Sequence, residues 1–207
     1  MRTHPRGLAL LPLALLLAVP AASAFDAGDW SVRVGAHVVD PASDNGTLAD
    51  GALEVDVDSD WKPSLMVEYF MTPAWGVELL AAWPFEHEVS LNGDEAASFK
   101  HLPPTLSLQY HFNSGGTVSP YLGAGINYTW TYDEETTGPI DGAELGLDNS
   151  WGLAAHVGID FKVGEAWYLG VDARWMDIDA DASLDGAELG TVSVDPWVYG
   201  VYAGWTF

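Results

Sequence analysis

The sequence predicts an all-β fold: an eight-stranded antiparallel transmembrane β-barrel of the bacterial outer membrane. Three observations predict it. Apolar residues alternate with small or polar residues along eight segments, which is the two-residue period of strands with two unlike faces. The connections between these segments alternate between short and long, and large aromatic residues collect near the ends of the apolar faces. Short turns at one end, long loops at the other and aromatic girdles are typical of outer-membrane barrels.

The first 24 residues are expected to be a cleaved signal peptide that takes no part in the barrel. Arg2 and Arg6 precede an apolar run over 8–19, and the small residues at 22–24 supply a cleavage site. The run has about a dozen residues, fewer than the roughly 20 that a transmembrane helix needs. A single barrel domain is therefore expected over residues 25–207, exported to the outer membrane of a Gram-negative cell.

The composition restricts the function classes that fit the chain. It has 30 acidic and 7 basic residues and a formal net charge of −23, which argues against nucleic acid as a partner. Such acidity indicates solvated loops, or a saline habitat in which cations screen the repulsion. There is no cysteine, so disulfides, thiol catalysis and thiolate metal sites are excluded. No cofactor is predicted.

The alternation is clearest from Trp151 to Val163, where the odd positions are apolar and the even positions are mostly small or polar. The same pattern predicts strands over 31–38, 64–71, 75–86, 101–112, 118–132, 151–163, 167–175 and 197–207. Short links fall at 72–74, 113–117 and 164–166, and longer polar loops at 40–60, 87–100, 133–149 and 180–191. With an even number of strands both termini lie at the short-turn end, which places the turns in the periplasm and the loops outside the cell.

A soluble barrel such as a lipocalin is the main structural alternative, because it also alternates but points its apolar face inward. The aromatic residues of the apolar faces favour the membrane protein, since so many large rings would overfill a narrow eight-stranded interior. Aromatic girdles mark both membrane interfaces of such barrels. The residues assigned to these lipid interfaces are Trp75, Trp83, Trp130, Trp167, Trp197, Trp205 and Phe207.

The opposite faces are rich in glycine and carry charges of both signs, so they are predicted to face the lumen. A charge that faced lipid at the membrane midplane would cost about 2–4 kcal/mol. The predicted charged layer of the lumen consists of Arg33, Glu68, Glu78, Asp160, Asp172 and Arg174. Two interpretations stay open: an ion-pair network that only fills the barrel, and a polar constriction that lines a passage.

Apolar residues on the inward faces are predicted to form a ligand passage above the charged layer; they are Met66, Phe70, Leu80, Val198 and Tyr202. His37, His111 and His156 also fall on inward faces, where hydrogen-bonded neutral imidazoles fit better than metal ligands. Two D-x-D-x-D runs, at 56–60 and 177–181, lack the glycine and the glutamate of an EF-hand loop. They are interpreted as solvated strand ends and loops, and no metal site is predicted.

Several segments carry more than a periodic pattern. They include GVELLAA at 76–82, HLPPTL at 101–106, PYLGAGINYT at 120–129, MDID at 176–179, DPWV at 195–198 and the terminal Phe207. Together, in this order and over essentially all of 25–207, they resemble the OmpW family of bacterial outer-membrane proteins. The extreme acidity and the acidic stretch at 40–60 depart from the better-known members of that family.

The resemblance implies an eight-stranded barrel whose narrow lumen can open sideways into the membrane. It implies that small, mainly hydrophobic molecules cross the lipopolysaccharide barrier through this lumen, and the alkane-importing relatives of some oil-degrading bacteria look similar. No catalytic motif belongs to the family pattern.

The leading hypothesis is a monomeric channel or carrier for the passive passage of small hydrophobic molecules. Its expected partners are outer-membrane lipid, lipopolysaccharide, the solute, and assembly machinery that recognises the last strand at Phe207. The alternative is a structural or receptor-type barrel whose acidic extracellular loops mediate surface interactions. A membrane-embedded enzyme would need a nucleophile and a positioned base. Ser90, Ser98, His87 and His101 are available, but no spacing singles out a triad, so the chain is predicted not to be an enzyme.

Overall fold

The computed structural model describes residues 25–207, so the predicted signal peptide lies outside the described residues. Eight strands form the barrel: β1 (Trp30–Asp40), β4 (Asp60–Phe70), β5 (Trp75–Ala82), β8 (Thr105–His111), β9 (Val118–Thr136), β11 (Ser150–Lys162), β12 (Trp167–Met176) and β15 (Trp197–Thr206). Each pairs antiparallel with the next in this order. β15 pairs with β1, which closes the sheet and confirms the predicted fold class.

The remaining described strands lie beyond the barrel, at the end opposite the short turns. They are β2 (Thr47–Leu48), β3 (Leu53–Val57), β6 (Phe85–Leu91), β7 (Asp94–Leu102), β10 (Leu145–Leu147), β13 (Asp179–Leu184) and β14 (Ala187–Ser193). We call them, with the upper part of β9, the outer extension, and "above" means toward it. A 3-10 helix spans Gly138–Ile140. No helix within residues 25–207 is long and apolar enough to cross a membrane.

The outer extension consists of two sheets. β7 pairs with β9 above the barrel, and β6, β3 and β2 follow it in the same sheet. β10, β13 and β14 form a separate three-stranded sheet. The prediction of long polar loops at 40–60, 87–100, 133–149 and 180–191 is therefore wrong, because each of these segments contains strand.

The acidic runs at 56–60 and 177–181 show why these strands look like loops in the sequence. Asp56 and Asp58 are exposed, while Val57 between them is buried. In the second run Asp179 is exposed and Ala180 is buried. Acidic residues thus occupy the solvent face of a two-residue pattern whose other face is apolar. The interpretation of both runs as solvated strand ends and loops is confirmed, since Asp56 lies near the end of β3, Asp60 begins β4 and Asp179 begins β13.

Prolines separate the barrel from the outer extension within one hairpin. Pro84 lies between β5 and β6, and Pro103 and Pro104 lie between β7 and β8. Proline has no N–H to donate to a sheet ladder. The last residue pair of the two hairpin arms below the break is accordingly Leu80–Thr105, and the first pair above it is Phe85–His101. The strands predicted over 75–86 and 101–112 are each divided here.

Exposed aromatic side chains form two rings around the outside of the barrel. The ring near the short turns contains Trp30, Trp75, Trp167, Trp205 and Phe207, and the ring near the outer extension contains Trp61, Trp83, Trp130, Trp151 and Trp197. Exposed Val, Leu and Ile side chains cover the surface between the rings. The structure places all of the aromatic residues assigned to the lipid interfaces in one of these two rings.

Candidate lumen and ligand chambers

Arg33 lies in the middle of the lumen and contacts acidic side chains from three other strands. Its guanidinium donates hydrogen bonds to Glu78 Oε2 and Glu68 Oε2, each at 2.5 Å. The same group lies 3.8 Å from Asp160 Oδ2. Arg33 is fully buried, and buried ion pairs are stable only when their remaining donors are satisfied. Here Arg33 Nε donates to Tyr168 Oη at 3.0 Å, which meets that requirement.

Arg174 is the second buried cation of the lumen. Its Nη1 donates to Glu78 Oε1 at 2.7 Å, so the Glu78 carboxylate bridges the guanidinium groups of Arg174 and Arg33. Its Nε donates to Asp172, whose Oδ1 lies 3.1 Å from His37 Nε2. These contacts and those of Arg33 bring the predicted charged layer together in one network.

Three tyrosine rings surround the Arg33 guanidinium. The centroids of Tyr121, Tyr168 and Tyr202 lie 5.4, 5.7 and 5.5 Å from its Cζ atom, within the range of cation–π attraction. Tyr202 donates to Asp160 Oδ1 at 2.7 Å, and its hydroxyl lies 2.7 Å from the hydroxyl of Tyr121. The rings therefore occupy the space around the cation and bind its acidic partner.

Glycine on neighbouring strands makes room for these rings. A Cβ atom added to Gly170 would overlap the ring of Tyr202, and one added to Gly158 would overlap the ring of Tyr121. The glycine-rich inward faces are thus a packing requirement of a lumen that is filled by large side chains.

Gln109, His111 and His156 complete the network. His156 Nε2 donates to Gln109 Oε1 at 2.8 Å, and Gln109 Nε2 donates to Glu68 at 3.2 Å. His111 Nε2 lies 2.9 Å from Glu68 Oε1. Every one of the eight barrel strands contributes a side chain to this layer, and these side chains are buried. The layer closes the lumen across its width.

The histidines predicted to face inward all lie in this network or at its edge. His37 bonds Ser64 and Asp172, while His111 and His156 bond the amide and carboxylate groups beside them. Within the part of the chain that the structure describes, no group of three or more His, Cys, Asp or Glu side chains has the geometry to hold a metal ion.

The predicted apolar passage is divided among different levels of the barrel. Phe70 lies below the charged layer, where its ring stacks on Phe25 at a centroid distance of 4.3 Å. Tyr202 belongs to the layer itself, and Met66 Sδ lies 3.2 Å from Arg174 Nη2. The prediction of an apolar surface above the layer is wrong for Phe70 and Tyr202, whereas Met66 pairs with Leu80 on the next strand, one inward step above Glu68. All three face inward, but β4 ends at Phe70 beside a short turn, which places that residue at the opposite end of the lumen.

Leu80 and Val198 do lie above the charged layer, in a small apolar space that we call the inner chamber. Its volume is about 10 Å³, which is room for roughly one water molecule. His37 of the charged layer network lies at its lower edge. The other lining side chains include Val39, Phe85, His101, Pro103, Met176 and Ile178.

A larger apolar space, the outer chamber, lies between the two sheets of the outer extension. Its volume is about 90 Å³. Its apolar walls include Leu48, Val89, Phe99, Leu147, Ile178 and Val192. Of the lining side chains, His101, Thr129 and Thr131 alone are polar. Ile178 and His101 line both chambers, so the two spaces adjoin.

His101 and His87 form a contact pair where the chambers meet. Their Nε2 atoms are 3.3 Å apart, and His87 Nδ1 is within hydrogen-bond distance of the backbone carbonyl of Asp58. Both histidines lie above the outer tryptophan ring. Burial lowers the pKa of His87 and holds the pKa of His101 well below its usual range, since a charged imidazole is unfavourable in an apolar surrounding. Both imidazoles are therefore neutral at pH 7.

The sequence-based site omitted the outer chamber. Its apolar residues do alternate in short runs, such as Leu53, Val55 and Val57, but the intervening acidic residues hide the pattern. Tyr121 and Tyr168 are also absent from the predicted site, although their positions on the inward faces of β9 and β12 could have identified them.

A closed eight-stranded barrel with two outward aromatic rings and a polar, filled interior defines an outer-membrane β-barrel protein. Residues 26–207 match the OmpW family, and the chain belongs to that family. The resemblance seen in the sequence is confirmed.

Individual relatives agree with this assignment. The chain is 36% identical to outer membrane protein W of Vibrio cholerae over 210 residues, which cover 94% of this chain and 97% of the relative. It is 27% identical to outer membrane protein AlkL of Ectopseudomonas oleovorans, over 91% of this chain and 86% of AlkL. The crystal structure of OprG from Pseudomonas aeruginosa superposes with a TM-score of 0.79 at 36% identity, covering 90% of this chain and 98% of OprG. The protein is located in the outer membrane.

Proposed function

We propose that the protein carries small, mainly hydrophobic molecules into the outer membrane, and that they enter through the outer chamber. The observation that supports this most is the outer chamber itself: a partly enclosed space of about 90 Å³ whose lining is almost wholly apolar. Concave apolar spaces with a few polar groups are the usual form of small-molecule sites. Moving an apolar solute from water into such a space is favourable.

A sideways exit fits the structure better than passage along the barrel axis. Below the inner chamber the charged layer spans the lumen. An apolar solute at that level would make no favourable contact with Arg33, Glu78 or Arg174. Beside the inner chamber, however, Pro103 marks the break between the barrel and the outer extension. The two arms of this hairpin do not pair with each other between the residue pairs Leu80–Thr105 and Phe85–His101. A lateral opening is also what the family resemblance implies.

Filling the outer chamber tests the proposal. Ala180 is buried and lines the chamber, whereas Ala187 is exposed at the end of the same hairpin. We expect Ala180→Phe to reduce the uptake of a radiolabelled alkane by cells that depend on this protein, and Ala187→Phe to leave uptake unchanged. Both variants must first be matched for folded protein in the outer membrane. Uptake by Ala180→Phe at the wild-type rate would contradict the proposal.

A receptor-type barrel is the second candidate, and the acidic solvent faces of β3 and β13 favour it. Asp56 and Asp179 point away from the chamber toward solvent. An exchange of these outward residues for asparagine separates the two functions. Loss of binding to a cell or phage with unchanged alkane uptake would assign the acidic face to surface recognition.

The proposal gives the chain no catalytic step. The Nε2 atoms of His87 and His101 contact each other rather than a serine hydroxyl. We further propose that the barrel acts as a monomer. In this proposal lipid contacts the two aromatic rings, lipopolysaccharide surrounds the outer extension, and assembly machinery recognises the last strand at Phe207.

A further inference from the structure

The contacts of the histidine pair determine which nitrogen atoms carry protons. His87 Nδ1 faces the carbonyl oxygen of Asp58, which can only accept, so this nitrogen carries the proton. The neutral His87 imidazole therefore has a bare lone pair at Nε2. His101 Nε2 lies 3.3 Å from His87 Nε2 and must therefore be the donor. The remaining nitrogen, His101 Nδ1, is consequently a bare hydrogen-bond acceptor.

This acceptor is buried without a protein partner. His101 is only 1% exposed, and its Nδ1 atom has no hydrogen-bond partner among the described residues. Leaving a buried acceptor unpaired is unfavourable. The Thr129 hydroxyl, which also lines the outer chamber, does not relieve it, because it already donates to Asn127 Oδ1 at 2.7 Å.

His101 places this unpaired nitrogen close to both chambers, but the nitrogen itself is covered, so the His101 ring must shift for a ligand to reach it. The side chain lines both the outer and the inner chamber, as Ile178 does, and Phe99 also lines the outer chamber. A molecule that filled the outer chamber would therefore lie beside one acceptor that has no hydrogen-bond partner, and Thr129 and Thr131 are the other polar side chains of the lining. An aliphatic or aromatic body would fit the walls, and a single donor would satisfy the nitrogen.

We infer that His101 is a specificity-determining residue that selects apolar molecules bearing one hydroxyl group, such as long-chain alcohols, over hydrocarbons and over acceptor-only analogues. The hydroxyl donates to His101 Nδ1 while the adjoining part of the alkyl chain lies in the outer chamber and the rest extends from its open side. An ether oxygen or a carboxylate would instead bring a lone pair against a lone pair. This inference rests on the proposed function and names its substrate class.

Two probes of equal size test the inference: 1-dodecanol and methyl undecyl ether. They have the same number of heavy atoms, but only the alcohol is a donor. Binding is measured by NMR titration of the protein in lipid nanodiscs, with empty nanodiscs to correct for partitioning into lipid. We expect the wild-type protein to bind the alcohol roughly tenfold more tightly, the usual value of one buried hydrogen bond. Equal affinities would overturn the inference.

Variants assign the preference to the nitrogen. His101→Phe keeps a ring of similar shape without the acceptor, so the preference for the alcohol should vanish. Val192→Ala, the matched control, removes apolar surface from the same chamber, so both probes should weaken equally and the preference should remain. Retention of the preference in His101→Phe would contradict the assignment. Binding of neither probe by the wild-type protein would instead contradict the proposed function.

A measurement on the wild-type protein keeps the test independent of how the variants fold. In a protein labelled with ¹⁵N at histidine, we expect the nonprotonated nitrogen of His101 to be Nδ1. Its resonance should shift on addition of 1-dodecanol and stay in place on addition of the ether. A protonated Nδ1, or an equal response to both probes, would overturn the inference.

Discussion

Glu78 is the residue on which the two buried cations of the lumen converge. Each of its carboxylate oxygens accepts a hydrogen bond, one from Arg33 and the other from Arg174. Both guanidinium groups are buried, so neither can recover a lost partner from water. Removing one member of a buried ion pair is far more costly than removing an exposed one, because the partner charge stays desolvated.

We therefore expect Glu78→Gln to lower the free energy of unfolding by about 3–5 kcal/mol. Urea unfolding of the protein in lipid vesicles measures the change. Glu188→Gln, on the exposed face of β14, is the control and should alter stability by less than about 0.5 kcal/mol. Equal stability of the two variants would show that Glu78 does not hold the cations together.

Gly170 tests the packing of the lumen at the same scale. A methyl group there would overlap the Tyr202 ring, which is held by bonds to Tyr121 and Asp160. We expect Gly170→Ala to cost about 1–3 kcal/mol by overpacking. At Gly164 a Cβ atom would be in ordinary van der Waals contact with Trp167, so Gly164→Ala should be nearly neutral in the same unfolding assay. Similar losses at both positions would argue against a filled lumen.

At the scale of elements, the barrel strands were predictable and the outer extension was not. The barrel strands face lipid on one side and the lumen on the other, so each carries a clear two-residue period, as in β11. A charged residue on the inward face of such a strand lies in the lumen because lipid would not solvate it. Arg33 and Asp160 could therefore be assigned to one charged layer. The heights of Phe70 and Tyr202 along the barrel axis could not be predicted, because the alternation shows only that a side chain faces inward.

The outer extension escaped prediction for two reasons. Its strands are short, and acidic residues on their solvent faces resemble the composition of loops, as at Asp56 and Asp179. Its chamber also forms between strands far apart in the sequence, β2 and β3 on one side and β13 and β14 on the other. No local pattern contains that pairing.

The histidine pair makes the outer extension sensitive to acid. Burial lowers the pKa of His87 and of His101. Below about pH 6.5 these imidazoles therefore bind protons when the outer extension is locally unfolded but not when it is folded. The charged groups around the pair, Asp58, Asp60 and Lys62, do not reverse this direction for either imidazole. Stability of the extension is therefore full above that pH and decreases as the pH falls toward the lowered pKa values.

Hydrogen exchange of the β6 and β7 amides measures this effect. After correction for the intrinsic exchange rate, we expect more frequent opening at about pH 5 than at about pH 7.5. In the double variant His87→Phe/His101→Phe this difference should disappear. Protection of β6 and β7 that does not change with pH in the wild-type protein would refute the role of the pair.

At the scale of the whole molecule, one chain presents three different surfaces. Its outside is apolar between two aromatic rings, its lumen is a polar layer built by all eight barrel strands, and its outer extension encloses apolar chambers. The exposed acidic residues of that extension lie on its solvent side, and none of them lines either chamber. An apolar solute thus has a favourable space at the outer end and a closed, charged barrier beneath it.

The most direct test of this account is to locate a bound solute. A crystal of the protein soaked with 1-bromododecane, measured at the bromine absorption edge, shows the position of the bromine atom. We expect anomalous density in the outer or inner chamber, beside Ile178, and none below Arg33. Bromine density beside Phe70, at the opposite end of the lumen, would contradict it, because the solute would then have passed through the charged layer.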